Sequence, residues 1–82
     1  MNFGTDYLAL MAHATTKHEL ATYLRAWGIS LLPETIQAHH RDPEIAIDRL
    51  AAVERDARTV VQMDDVASAR GWLVGKGYPV SG

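Results

Sequence analysis

The sequence predicts an all-α fold, a compact bundle of four to five short helices around a central helix at about 43–61. The longest uninterrupted stretch with helical periodicity begins at Asp42-Pro43 and continues to Val61. Capping residues and glycines mark the ends of shorter helical segments before and after it. Because the chain has no cysteine, the packing of these helices alone must stabilise the fold.

The composition is that of one small globular domain. The chain has 82 residues, of which 48% are hydrophobic and 22% charged. The net charge of −2 provides no general attraction to nucleic acid or anionic lipid. We expect neither a membrane span nor a signal peptide, and therefore a cytoplasmic protein, since no apolar run approaches about 18 residues. Arginine outnumbers lysine and alanine is abundant, which suggests a GC-rich genome, bacterial or phage.

The first and third helices are predicted to be short. Thr5 is expected to cap the first helix, which places Tyr7, Leu10, Met11 and Ala14 on one side. Pro33 with Glu34 begins a helix of about two turns that ends near His40, with Ile36 directed inward. The intervening residues 29–32 form a brief apolar connector.

The second helix has clear signals at both ends. Thr16 and Glu19 match a capping box, in which the hydroxyl and the carboxylate each accept a bond from an unpaired backbone N–H. The helix should run from Lys17 to about Trp27, and Gly28 should close it in the left-handed conformation. One side of this helix is apolar and carries Leu20, Tyr23, Leu24 and Trp27.

The central helix has a broad apolar side. Asp42 is the expected N-cap, and Pro43 occupies the first helical position. The apolar side comprises Ala46, Leu50, Val53, Ala57 and Val60, widened by Ile47, Ala51 and Val61. The opposite side comprises Asp48, Arg49, Ala52, Arg55 and Asp56.

The C-terminal part allows two interpretations. Residues 59–63 either continue the central helix or form a short strand, because they include β-branched side chains. If they are extended, they could pair with residues 78–80 as a minimal two-stranded ribbon. Asp64 or Asp65 is expected to cap a last helix that reaches about Lys76.

No group of residues has a spacing typical of catalysis or metal binding. His13 and His18 are separated by a predicted helix break, and the adjacent His39 and His40 point about 100° apart on a helix. The glycine-containing segment 71–77 lacks the strand–loop–helix context of a phosphate loop and is interpreted as a helix end. We therefore expect no enzyme, no cofactor, no metal site and no small-molecule substrate.

Glu54 lies within the predicted apolar face of the central helix. One interpretation is a position at the rim of that face, where Glu54 pairs with Arg58 one turn later. The other is a buried acid that pairs with an arginine from elsewhere in the chain or from a partner chain.

The leading functional hypothesis is a non-enzymatic regulatory protein that binds another protein and could itself be a homodimer. A half-exposed tryptophan beside small residues is a common anchor in such interfaces. Alternatively, the C-terminal tail covers that tryptophan and completes the core. The candidate interface residues are Trp72, Tyr78, Ile45, Glu54 and Arg58.

The second hypothesis is a helix-turn-helix regulator that binds DNA. Recognition would need side chains for base edges and cations nearby for phosphates. The first helix pair that could do this includes Lys17, Arg25, Gln37 and Arg41, and the second includes Arg70 and Lys76.

Overall fold

A computed structural model describes residues 5–80 of the chain, which form five α-helices. In chain order these are α1 (Tyr7–Ala12), α2 (Lys17–Ser30), α3 (Leu32–Ala38), α4 (Glu44–Gln62) and α5 (Val66–Gly75). The predicted all-α bundle around a long central helix is therefore confirmed.

The predicted ribbon is wrong. Residues 5–80 contain no strand, because α4 continues to Gln62 and residues 78–80 have no regular structure. Val60 is fully buried on the packed side of α4, so its burial in the core outweighs the preference of β-branched residues for strands.

Side chains cap three of the helices. Thr16 Oγ1 accepts the backbone N–H of Glu19 at 3.0 Å, as the capping box predicts. The Glu19 carboxylate reaches back to the N–H of Thr15 at 3.1 Å, one residue before the cap. Asp65 caps α5 as expected, whereas α1 begins one residue later than predicted and Asp6, not Thr5, is its cap.

The central helix also begins one residue later than predicted. Pro43 occupies the N-cap position of α4, and no side chain caps this end of the helix. The Asp42 carboxylate therefore does not act as the cap, although the Asp42 backbone carbonyl accepts the N–H of Ile45 at 3.2 Å.

The core lies on the side of α4 that periodicity predicted, but it is narrower. Ala46, Val53, Ala57 and Val60 are buried and Leu50 is half-buried. Ile47 and Ala51 were expected to widen this side and are exposed instead, because none of the helices within residues 5–80 covers that edge of α4. Ile36 was expected to point inward and is exposed on α3. The buried hydrophobic cluster comprises Met11, Ala14, Leu20, Ala21, Leu24, Val53, Ala57, Val60, Ala69 and Leu73.

Helices α2 and α4 are antiparallel and make a close contact at Gly28 and Val53. A Cβ atom added at Gly28 would lie 2.9 Å from Val53 Cγ1. The prediction that Gly28 ends the helix is therefore wrong, since α2 continues to Ser30 and Gly28 is buried within it. The absence of a side chain at Gly28 permits close approach of the two helices.

We predict that Gly28→Ala lowers the free energy of unfolding by a net amount of about 1 kcal/mol, which urea denaturation can measure. Overpacking against the stiff Val53 side chain costs about 1–3 kcal/mol, and this outweighs the higher helix propensity of alanine. The matched control is Gly71→Ala in α5, where a Cβ atom would meet no heavy atom within 4 Å. This control should stabilise the protein by about 0.5–1 kcal/mol, and equal gains at both positions would contradict the packing role of Gly28.

Candidate functional site

The C-terminal tail is bound to α4 through one buried carboxylate. Asp56 is only 5% exposed, and its two oxygens accept bonds from Lys76 Nζ at 3.0 Å and from the Tyr78 hydroxyl at 2.5 Å. The sequence interpretation placed Asp56 on the polar side of α4. That placement is wrong because the tail covers this part of the helix and provides two polar partners there.

Tyr78 is held on two sides. Its ring packs edge-on against Trp27, with ring centroids 5.7 Å apart. Burial raises the pKa of the Tyr78 phenol well above its usual value, and the hydrogen bond to Asp56 raises it further. The phenol therefore remains protonated and donates a hydrogen bond to the carboxylate.

Trp72 is half-buried against the core, and Lys76 Nζ lies 4.8 Å from the centre of its ring. Tyr78 and Val80 of the tail also pack against the core. Ile45 is half-buried near the start of α4 and lies about 16 Å along the helix from Asp56, to which Tyr78 is bound. The structure therefore groups Trp72 with Tyr78 but does not bring Ile45 to them.

Glu54 bridges two arginines at the edge of the apolar face. Its carboxylate accepts bonds from Arg25 Nε at 2.7 Å and from Arg58 Nε at 3.1 Å, and it stays partly exposed. Both sequence interpretations were partly correct, because Glu54 lies at the rim beside Arg58 and also pairs with an arginine from another helix. The hydrogen bond from Arg25, followed by that from Arg58, lowers the pKa of the Glu54 carboxyl below its ordinary value.

An apolar groove lies between α2 and α4 beside this charged cluster. Ile29 is 56% exposed and Ile47 is 66% exposed, and they line the groove together with Leu50, Ala51 and Val53. Arg25 and Glu54 form its charged end. The groove has a volume of about 380 Å³, and apart from Arg25 and Glu54 its lining residues are apolar.

A second cavity of about 260 Å³ lies on the other side of Leu50 and Val53, which also line the groove. It lies between α2, α3 and α4, and its walls include Trp27, Leu31 and Tyr78. Gly28 lines this cavity as well, and Val53 lines both concave surfaces, so the two surfaces flank the contact between Gly28 and Val53.

Sequence reasoning did not identify the groove. It assigned Ile47 and Ala51 to the core and Ile29 to a connector. A continued α2 would have placed Ile29 one turn after Arg25, which was the available signal. This position of Ile29 was missed because a glycine in a sequence is equally compatible with a helix end and with a close contact between two helices, and Gly28 was interpreted as a helix end.

Four of the six side chains proposed for DNA binding form hydrogen bonds or ion pairs within the protein. Lys17 donates to the carbonyl of Met63 at 2.6 Å, and Arg70 donates to the carbonyls of Met11 and Ala14. The other two pairs are Arg25 with Glu54 and Lys76 with Asp56.

Gln37 and Arg41 are exposed on α3 and on the turn that follows it. Lys17 and Arg25, which were grouped with them, are bound to a backbone carbonyl and to Glu54. DNA binding by this set stays a prediction.

Residues 5–80 contain no group of three or more histidines or carboxylates placed to hold a metal ion. None of the five helices in this range combines the length and apolar character that a membrane crossing requires. Comparisons with protein-family models, curated proteins and solved structures gave no match to this chain.

We predict that the Glu54 carboxyl titrates below the ordinary pKa of a glutamate and that Arg25→Gln raises this pKa more than Arg58→Gln does. The reason is that the Arg25 bond is the larger cause of the lowered pKa and comes from a less exposed side chain. Carboxyl-detected NMR titration of the wild type and the two variants measures the effect. Equal pKa values in the two variants would contradict the assigned order.

We predict that Tyr78 ionisation destabilises the protein at high pH. The pKa of the phenol is higher in the folded than in the unfolded chain, so the related stability is complete below about pH 10 and is lost as pH rises further. Urea unfolding between about pH 8 and pH 11 should show a decline that Tyr78→Phe reduces. An unchanged decline in the Phe variant would argue against this, and absorbance at 295 nm reports the phenolate directly.

Proposed function

We propose that this protein is a small, non-enzymatic regulatory protein of the cytoplasm of a bacterium or phage-infected cell, and that it binds another protein through the α2/α4 groove. The occupant we propose is an apolar helix face with charged residues at its border. The single observation that carries this proposal is the exposure of Ile29 and Ile47 side by side in an apolar groove that ends at an ion-pair cluster.

The dimensions of the groove support a helical occupant. It extends along α4 from Ile47 to Glu54, a distance of about 10 Å, which corresponds to two helical turns. An amphipathic helix that lies in a hydrophobic groove uses anchors one turn apart and so fits this length.

The border of the groove supports a partner with polar or charged residues around its apolar anchors. Arg25, Glu54 and Arg58 form a linked pair of ion pairs at one end. These charges are partly solvated, so they contribute more to orientation and selectivity than to affinity. The apolar side chains of the groove would provide most of the binding free energy.

This proposal moves the interface away from the C-terminal tail. Trp72 and Tyr78 contribute much of their surface to packing within the chain, whereas Ile29 and Ile47 do not. Glu54 and Arg58, two of the interface residues predicted from sequence, lie at the edge of the proposed surface.

We predict that a photo-reactive benzoylphenylalanine in place of Ile47 forms a discrete covalent adduct with a protein in a lysate of the native host. The same substitution at Val74 or Ile36 should form none, because these exposed apolar residues lie outside the groove. Mass spectrometry of the adducts identifies the partner and the contact. Adducts of equal yield at all three positions, or none at Ile47, would overturn the proposed function.

A further inference from the structure

The outer side of α4 carries a line of exposed residues at seven-residue spacing. Glu44, Ala51 and Arg58 follow one another at this interval, and Ile47 and Arg55 lie between them. Positions three and four residues apart that repeat every seven form a single seam on a helix, which is the geometry that pairs two helices along their length. The seam borders the α2/α4 groove, since Ile47 and Ala51 belong to both.

Charge is divided along this seam. Glu44 and Asp48 are exposed in the first half of α4, and Arg55 and Arg58 are exposed in the second half. Within residues 5–80, Glu44, Asp48 and Arg55 form no ion pair, and Arg58 pairs only with Glu54. The first half of the seam is thus acidic. In the second half Arg55 and Arg58 outnumber the partly exposed Glu54, so this half is basic, and the small side chain of Ala51 separates the two halves.

We propose that the groove and the seam form the interface between two copies of this chain, with the two α4 helices antiparallel across a two-fold axis at Ala51. This inference rests on the proposed function and names the partner. Seven residues separate Ala51 from each end of the seam, so the symmetry places Glu44 opposite Arg58 of the partner subunit. Asp48 lies three residues before Ala51 and Arg55 four residues after it, so the same symmetry brings Asp48 to within one residue, about 1.5 Å along the helix, of the position opposite Arg55 of the partner subunit.

The two-fold axis produces each charge pair twice, so the interface contains four pairs of opposite charge. A parallel arrangement would place acid opposite acid and base opposite base, which is unfavourable. The charge pattern therefore matches a second copy in one orientation only.

The packing requirements agree with this arrangement. Ala51 at the crossing point permits helix axes to approach to about 8 Å, and a crossing angle of roughly 20° keeps the ends of the seam within reach of long side chains. Ile47 and Ile29 line the same groove in each copy, and the partner subunit would cover both of them. The number of apolar side chains is small, so the interface belongs at the low end of the size range.

The test uses sedimentation equilibrium of the full chain between about 10 µM and 1 mM, the range suited to a small interface. The wild type should dimerise. The acid-reversed variant E44K/D48K and the base-reversed variant R55E/R58E should each be monomeric, because each places like charges opposite each other. Mixed in equal amounts, the two variants should form a heterodimer, since all four facing pairs again have opposite charge.

Matched controls separate this effect from general changes in charge. Glu34 is the acid in the first turn of α3, as Glu44 is in α4, and it lies outside the seam. E34K and R41E should therefore dimerise as the wild type does. Ala51→Arg is a further variant that keeps the halves of the seam intact; as Ala51 is exposed, we expect this variant to fold and to be monomeric. Circular dichroism confirms that each variant is helical.

A wild type that stays monomeric at about 1 mM would overturn the proposal. The proposal would also be overturned if E44K/D48K and R55E/R58E each dimerised alone as strongly as they do when mixed. An Ala51→Arg variant that dimerises like the wild type would overturn it as well. A monomeric wild type that still forms an adduct with a different protein at position 47 would overturn the second copy as the partner and leave the proposed function standing.

Discussion

The contact between Gly28 and Val53 is the constraint on which the rest of the structure depends. Because Gly28 has no side chain, α2 and α4 approach closely at one point, and Val53 fills the space that a Cβ atom would need. The contact occurs between antiparallel helices, with Lys17 at one end of α2 bonded to the last turn of α4. Helices α1, α3 and α5 then pack around this pair, and the concave surfaces on either side of Val53 result from the same contact.

Many charged groups in this chain complete the fold. Lys17 and Arg70 donate to carbonyls at the ends of α4 and α1, where backbone acceptors lack partners within the helix. Asp56 holds two residues of the tail in a partly buried network, and no buried polar side-chain atom of the described residues is left without a partner. Hydrogen bonds of this kind matter because an unpaired buried polar group is costly.

The charges that remain on the outer side of α4 are those that no other element uses. They lie beside an apolar groove that none of the five described helices covers, although the rest of the α4 apolar side is well packed. This combination of exposed charge and uncovered apolar surface is the physical basis of the proposed interaction. The interface residues predicted near Trp72 and Tyr78 are less suitable, since both of these side chains pack against the core.

Local signals in the sequence determined the helices of this protein. Periodicity identified the packed side of α4, and Thr16 and Asp65 specified helix starts, because caps and helix hydrogen bonds involve residues only a few positions apart. Tertiary structure alone decided whether residues at the edges of the apolar side were covered. Ile47 is exposed because no neighbouring element within residues 5–80 reaches it, whereas Asp56 is buried because the C-terminal tail extends over it. Gly28 permits a close helix contact only because Val53, which is distant in sequence, packs against it. No local pattern could therefore distinguish a helix end from a close helix contact at this glycine.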